Sequence, residues 1–168
     1  MLFRSHGTKG TVWQLTAIDV CSSYAWAELV ACPSGQPGAA QTSRLACRVA
    51  AELQQAGWRL ERVLSDNGYE FRAGFSQTLA DLGVRQTRIH AGRPQTNGAV
   101  EALHKTILEE CWRPAFARYL HVRFTGLKRD LAQYVDEYNF RRVHNGRLTR
   151  GRIPADIVHA ANKIEAAR

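Results

Sequence analysis

The stretch LSDNGYEF, residues 64–71, places an acid, an amide and a glycine directly behind an apolar run, residues 59–64, that is typical of a short strand. The acid, Asp66, therefore falls at the C-terminal end of a strand, where turn residues begin. An acid in this position can cap a loop, or it can be one ligand of a metal site that other acids complete. The stretch thus predicts where one strand of the fold ends and where a candidate site begins.

Hydrophobic periodicity predicts strands and helices that alternate along the chain. The predicted strands are residues 11–20, 23–31, 60–64 and 84–89. The predicted helices are residues 40–56, 73–82, 99–111, 126–138 and one that Pro154 opens. This order predicts a mixed sheet with helices on its faces, without internal repeats.

The composition is that of one domain of ordinary size. The chain has 168 residues, of which 45% are hydrophobic and 23% charged, as in soluble globular proteins. Its apolar runs are shorter than the roughly 18 residues that a membrane helix needs, and the N-terminus shows no signal-peptide pattern. We therefore expect a cytoplasmic protein without a membrane partner. The four cysteines are far apart and include no C-x-x-C pair, which predicts free and mostly buried thiols.

The positive charge is concentrated in one segment. The net charge is +8 and the pI is near 9.8. Between Trp112 and Arg152 there are ten basic residues, nine of them arginine, and three acids, so this segment carries +7. Arginine is suited to bidentate contact with phosphate. A solvated helix face is the ordinary alternative, but a one-sided excess of this size favours nucleic acid as the partner.

Glu101 is a second candidate acid. It falls in the first turn of the helix predicted at 99–111, after the turn-rich loop HAGRPQTNG, and lies 35 positions beyond Asp66. Two acids that meet at one sheet edge suit Mg²⁺, which takes one or two carboxylates together with water and substrate phosphate. Two such ions about 3.5–4 Å apart can stabilise both oxygens of a phosphoryl transfer. On spacing alone, two unrelated surface acids explain the pattern at least as well.

Four stretches resemble consecutive blocks of the retroviral-integrase-type (DDE) catalytic core of bacterial insertion-sequence transposases. They are WQLTAIDVCSSYAWAEL (residues 13–29), SDNGYEF (65–71), GRPQTNGAVEALHKTILEE (92–110) and YNFRRVHNGRLTRGRIPADIV (138–158). The resemblance implies an RNase H-like α/β fold over residues 1–168, with a five-stranded mixed sheet flanked by helices and a basic C-terminal helical part at about 112–168. It also implies metal-dependent DNA strand cleavage and strand transfer, with a two-ion site for Mg²⁺ or Mn²⁺. The implied partners are DNA (the element ends and the target) and further copies of the chain, with no small-molecule substrate.

Carried onto this sequence, the resemblance gives Asp66 the place of the second catalytic acid and Glu101 that of the third, both as metal ligands. The family usually has 35 residues between these acids, and this chain has 34. Glu70, a further acid in the block, is expected beside the metal ligands rather than on the metal. The residues expected to contact DNA are Asn67, Gly68, Pro94, Gln95, Asn97, Gly98, His104, Lys105, Arg141, Arg142 and Arg147.

Asp19 is the candidate for the first acid of the family, and we expect that it does not fill this place. In the family the first acid lies on the first strand, whereas an aspartate that matches Asp19 ends the second. A hairpin turn near residues 6–10 would put the first strand at residues 1–5 and that acid at about Met1 or just before it, as in a chain truncated at its N-terminus. Asp19 would be displaced by roughly 13 Å at 3.3 Å per residue. We therefore expect Asp19 to lie near the metal site without sharing an ion with Asp66, and we expect weak Mg²⁺ binding and little or no cleavage.

Three functions fit these observations. The first is the catalytic core of a transposase, impaired by loss of the first acid. The second is a catalytically inactive remnant of a transposase that binds DNA or a sister subunit. The third, a related RNase H-like nuclease that acts on other nucleic acid, fits the composition but not the block that begins YNFRRVHNGR.

Overall fold

The computed structural model describes residues 2–3, 10–33, 35–89, 98–118, 123–146 and 148–165 and, apart from residues 2–3 and 161–165, their side chains as well. The strands are β1 (Leu2–Phe3), β2 (Thr11–Ile18), β3 (Ala25–Cys32), β4 (Arg62–Ser65) and β5 (Arg85–Arg88). The helices are α1 (Ala39–Gln55), α2 (Gly74–Asp81), α3 (Gly98–Ile107), α4 (Arg113–Arg118), α5 (Phe124–Phe140) and α6 (Pro154–Glu165). A 3₁₀ turn covers Tyr69–Phe71, and a π-helical turn, Leu108–Trp112, joins α3 to α4.

The strands form two sheets. In the first, β2 pairs with β1 and with β3, both antiparallel, and Leu2 lies opposite Trp13. In the second, β4 and β5 pair in parallel. The predicted five-stranded mixed sheet is therefore not confirmed. The described part of β1 has two residues, whose pairing is with β2, so it forms no ladder that would join β4 to the antiparallel strands.

Strand β2 is covered by helices on both faces. Val12 and Ile18 on one face pack with residues of α3, α4 and α5, and Leu15 and Ala17 on the other face pack with α1. The helical residues in these clusters include Leu103, Ile107, Leu127 and Leu131 on the first face and Leu45, Val49 and Leu53 on the second. Each such side chain contributes roughly 1.5–3 kcal/mol when fully buried. The alternation along β2 thus fixes a helix layer on each side of the antiparallel sheet.

A smaller cluster fixes the parallel pair. Phe75 and Leu79 of α2 are buried against Ala46 of α1 and against Val84, which directly precedes β5. Val63 of β4 packs against the same cluster. This packing holds β4, and with it the start of the turn that carries Asp66, beside α1 and α2.

Helix α5 is attached to the edge strand β3 by one buried amide. Asn139, 3% exposed, accepts a hydrogen bond from the Ala25 N–H at 2.8 Å and donates to the Ala25 carbonyl at 2.7 Å. The N–H and the carbonyl of Ala25, at the outer edge of β3, are thereby paired, as buried backbone groups must be.

The predicted elements are confirmed within two residues at most of their ends, with one exception. The helix predicted at 99–111 is α-helical at 98–107 and continues as the π-helical turn and α4. Two of the four free cysteines are buried and two exposed, so the prediction of mostly buried thiols holds for half of them. In the described part of the chain, no helix is both long and apolar enough to cross a membrane.

Candidate metal and nucleic-acid site

Asp66 is exposed in the turn that follows β4, directly after the buried Ser65. Its Oδ1 accepts a hydrogen bond from the Gly68 N–H at 2.9 Å. A Cβ added at Gly68 would lie 2.9 Å from that oxygen and 2.6 Å from Oε2 of Glu70. Because glycine has no Cβ, the carboxylates of Asp66 and Glu70 can both lie close to the Cα of Gly68. The turn thus concentrates negative charge at the end of β4 and presents Asp66 to solvent.

Hydrogen bonds with β5, with α1 and with Ile89 hold this turn. Gln86 of β5 donates to Ser65 Oγ at 3.1 Å and to the Phe71 carbonyl at 2.9 Å. Thr42 of α1 donates to the Glu70 carbonyl at 2.7 Å. Asn67 donates to the carbonyl of Ile89, just past β5, at 2.9 Å. The predicted DNA contact of Asn67 is thus accompanied by a structural role that its sequence position did not reveal.

Glu101 is exposed in the first turn of α3, as predicted. Lys105, four residues later, is also exposed and therefore available to a phosphate. Of the other predicted contacts in this region, Gly98 begins α3 and is exposed, whereas Pro94, Gln95 and Asn97 lie outside the described residues.

His104 contacts the antiparallel sheet. Its ring is half-buried and its Nε2 is hydrogen-bonded to the Thr16 hydroxyl of β2. Burial lowers the pKa of His104, and the carboxylate of Glu101 opposes part of that shift. The hydrogen bond to Thr16 gives this side chain a contact within the fold, and its predicted contact with DNA stays a prediction. The expectation rested on its place one turn after Glu101, which did not show the direction of the ring.

Asp19 lies in the hairpin between β2 and β3. Its Oδ2 accepts hydrogen bonds from the backbone N–H of Ser22 at 2.8 Å and from the Ser22 hydroxyl at 2.5 Å. Leu2 of β1 is opposite Trp13, six residues before Asp19, which corresponds to roughly 20 Å along an extended strand. The carboxylate of Asp19 thus stabilises a turn. Among the described residues, no three His, Cys, Asp or Glu side chains are placed to hold one metal ion. That Asp66 and Glu101 face each other stays a prediction.

The basic segment is exposed, but its arginines differ in their surroundings. All nine basic side chains between 112 and 152 that the structure describes are exposed, Arg141 among them, and Arg147 lies outside the described residues. Arg142 is paired with Glu110 of the π-helical turn and lies 5.8 Å from the centroid of the Tyr138 ring. The hydrogen bond to Glu110 raises the pKa of Arg142. Arg142 is therefore fixed to the protein, which changes its predicted role as a free phosphate contact.

Tyr69 lies beside the candidate site although its sequence position predicted no role for it, and at 80% it is the most exposed large apolar side chain in the described part of the chain. It follows Asp66 by three positions, and the Arg72 guanidinium lies 5.8 Å from its ring centroid. Arg72 also donates to the Asn67 carbonyl at 3.3 Å. An exposed ring beside a guanidinium offers a stacking surface for an unpaired base. In the sequence, the one sign of this surface is an aromatic residue, Tyr69, within an otherwise polar turn.

Comparison with known proteins confirms the predicted resemblance to an integrase-type catalytic core. Residues 82–148 match the family model of the integrase core domain. The retrovirus-related Pol polyprotein from transposon TNT 1-94 of Nicotiana tabacum is 34% identical over 58 residues, which are 34% of this chain and only 4% of that polyprotein.

Solved structures share the fold. The catalytic core domain of BIV integrase matches with a TM-score of 0.65 and 18% identity, over 99% of this chain and 95% of that domain. A chain of the simian T-cell lymphotropic virus intasome, in complex with the PP2A regulatory subunit B56 gamma, matches with a TM-score of 0.74 and 16% identity. That match covers 95% of this chain and 51% of the intasome chain. The α/β arrangement around β2 and β4 is thus that of integrase catalytic cores.

Proposed function

We propose that this chain is the catalytic core of a DNA transposase that cuts a DNA strand and transfers its end to a target with the help of divalent metal ions. The observation that carries the proposal is Asp66, exposed at the end of β4 in a turn held by Gln86, Thr42 and Asn67, within an integrase-type fold. A carboxylate fixed in this way has the rigid support that a catalytic ligand needs.

The donor groups fit a hard divalent cation. Asp66 and Glu101 offer exposed carboxylate oxygens, the ligands that Mg²⁺ and Mn²⁺ prefer. Glu70 is close enough to Asp66 to add negative charge without itself being required as a ligand. When bound, a pair of such ions supplies activation of the attacking hydroxyl and stabilisation of the leaving oxygen.

The remaining residues of the site would bind and orient DNA. Lys105 is exposed one turn after Glu101 and suits a phosphate near the reacting group. Tyr69 would stack on a base that leaves the duplex, with Arg72 beside it. Arg141 and the other exposed arginines of the 112–152 segment would neutralise backbone phosphates farther away. The element ends, the target and assembly as a homo-oligomer are inferred from the likeness to an intasome chain and stay proposals, as does an origin in a bacterial insertion sequence.

One observation favours a second function, binding of DNA without chemistry. Asp19, the acid that could complete a triad, is engaged by Ser22 in the β2–β3 hairpin. The 168-residue chain would then hold an ion with Asp66 and Glu101 alone, so its affinity for Mg²⁺ would be low and its cleavage slow or absent. The two functions share DNA binding and differ in whether the chain cleaves a DNA strand when a divalent ion is present.

Arg141 and Arg142 provide a matched test of DNA binding. Arg141→Ala is expected to reduce the slope of log affinity against log salt concentration by roughly 0.9, because one phosphate contact and its released counterion are lost. Arg142→Ala is expected to leave the slope unchanged, because Arg142 is paired with Glu110. Binding of a fluorescent duplex by anisotropy between about 50 and 200 mM salt measures both slopes. No binding at low salt, or an unchanged slope in Arg141→Ala, would contradict the proposed DNA contact.

A further inference from the structure

Two hydrogen bonds connect β2 with the helical segment that carries Glu101. The Thr16 hydroxyl is bonded to Nε2 of His104 in α3, and the Trp112 indole N–H donates to Oε1 of Gln14 at 2.6 Å. Gln14 and Thr16 are two positions apart on a strand and therefore point to the same face. Trp112 is fully buried and Gln14 is 4% exposed, so the second contact is closed to water.

The spacing of the helical partners does not suit a regular α-helix. His104 and Trp112 are eight residues apart, whereas two α-helical turns take about seven residues. In a regular α-helix, two side chains eight residues apart would point in directions that differ by about 80° around the helix axis. The π-helical turn at Leu108–Trp112 closes i to i+5 and so accommodates one additional residue in this interval. As a result, both side chains return to the face that meets β2.

The contact of Gln14 is retained at a cost. Its Oε1 accepts from Trp112, whereas its Nε2 is buried without a hydrogen-bond partner in the described structure. A buried donor without a partner costs about 1–3 kcal/mol. A leucine at position 14 would avoid this loss but would remove the acceptor of the buried Trp112 indole N–H, at a similar cost. The glutamine thus supplies a directional contact between β2 and Trp112.

We infer that Gln14 and Thr16 of β2, through Trp112 and His104, fix the rotation of α3 about its axis and thereby the direction in which Glu101 leaves the helix. These four are positioning residues, and the π-helical turn keeps both contacts in register. The inference rests on the proposed function, because the direction of Glu101 matters for chemistry if Glu101 is a metal ligand.

Two single-residue deletions in the same helical segment test the inference. Deletion of the exposed Glu109 shortens the interval from His104 to Trp112 to seven residues, which a regular α-helix brings to one face. Both contacts and the direction of Glu101 are then retained, and the affinity for Mn²⁺ is expected to stay within about twofold of the original chain, since the metal ligands and their supports are unchanged.

Deletion of the exposed Ala102 turns Glu101 by about 100° relative to His104 and is expected to lower that affinity roughly tenfold or more. Electron paramagnetic resonance of free Mn²⁺ measures both, and circular dichroism checks folding. The inference is overturned if the folded Glu109 deletion loses affinity as the Ala102 deletion does, or if the Ala102 deletion keeps it.

A conservative pair serves if either deletion does not fold. Thr16→Val removes the hydroxyl at nearly constant volume and is expected to lower Mn²⁺ affinity roughly tenfold. Thr16→Ser keeps the hydroxyl and is expected to restore most of it. Equal affinities in the two variants would overturn the inference.

Amide hydrogen exchange distinguishes failure of the inference from failure of the proposed function. Thr16→Val and Trp112→Phe are expected to speed exchange in α3, because each removes one connection to β2. If exchange accelerates while the original chain binds no Mn²⁺, the positioning contacts are real and the proposed metal site is wrong. If exchange in α3 is unchanged in both variants, the positioning inference is wrong.

Discussion

Replacing Asn139 with alanine is expected to lower the free energy of unfolding by roughly 2–6 kcal/mol. The side chain makes two hydrogen bonds to Ala25, one to its N–H and one to its carbonyl, and is 3% exposed. Alanine leaves both backbone groups buried without partners, and each such group costs about 1–3 kcal/mol. The loss also releases the edge of β3 from α5. Urea unfolding followed by circular dichroism measures the change.

Gln133 provides the matched control for Asn139. It is exposed on the same helix, so Gln133→Ala is expected to change the free energy of unfolding by no more than about 0.5 kcal/mol. Similar losses in the two variants would show that any truncation on α5 has this effect and that the contact with Ala25 has no special weight.

Replacing Gly10 with alanine is expected to destabilise the fold by roughly 3 kcal/mol or more. Gly10 has a φ of +91°, and an added Cβ would lie 2.3 Å from the Cys32 carbonyl oxygen and 2.6 Å from Cα of Pro33. Both atoms belong to the backbone at the end of β3, so relief requires movement of the strand. The position therefore requires glycine both for its dihedral angles and for its closeness to the neighbouring chain.

Gly126 is the control for this substitution. It lies within α5 with no atom within 4 Å of an added Cβ, so Gly126→Ala is expected to raise the free energy of unfolding by about 0.5–1 kcal/mol. Thermal unfolding of the two variants should therefore shift in opposite directions. A small or absent loss in Gly10→Ala would mean that the chain at residues 10 and 32–33 packs less closely than the structure shows.

Local patterns predicted the elements because each element buries its own periodic face. Leu45, Val49 and Leu53 follow at four-residue spacing, and all three are buried in α1. The π-helical turn could not be predicted from the sequence, because one inserted residue leaves the apolar pattern almost unchanged. Whether the turn forms depends instead on the contacts of His104 and Trp112 with β2. The division into two sheets depends on backbone pairing between distant strands, on which side-chain alternation gives no information.

The sequence predicted the location of those site residues that lie at the end of a strand or in the first turn of a helix. As predicted, Asp66 follows β4 and Glu101 lies in the first turn of α3, and the structure shows that both are exposed. The support of the turn by Gln86 and Thr42 could not be predicted, since both hydrogen bonds join residues that are far apart in sequence. The ion pair of Arg142 could not be predicted for the same reason. The sequence shows that Arg142 is a cation, but its partner Glu110 lies 32 residues away.

The central claim is that Asp66 and Glu101 bind one divalent ion. Paramagnetic broadening of amide signals by Mn²⁺ in the ¹⁵N-labelled chain tests it without requiring tight binding or cleavage. Residues 65–70 and 98–104 are expected to broaden together at the same Mn²⁺ concentration, and Asp66→Asn and Glu101→Gln are each expected to abolish both effects. Broadening of one segment alone, or persistence of both effects in either variant, would contradict the claim.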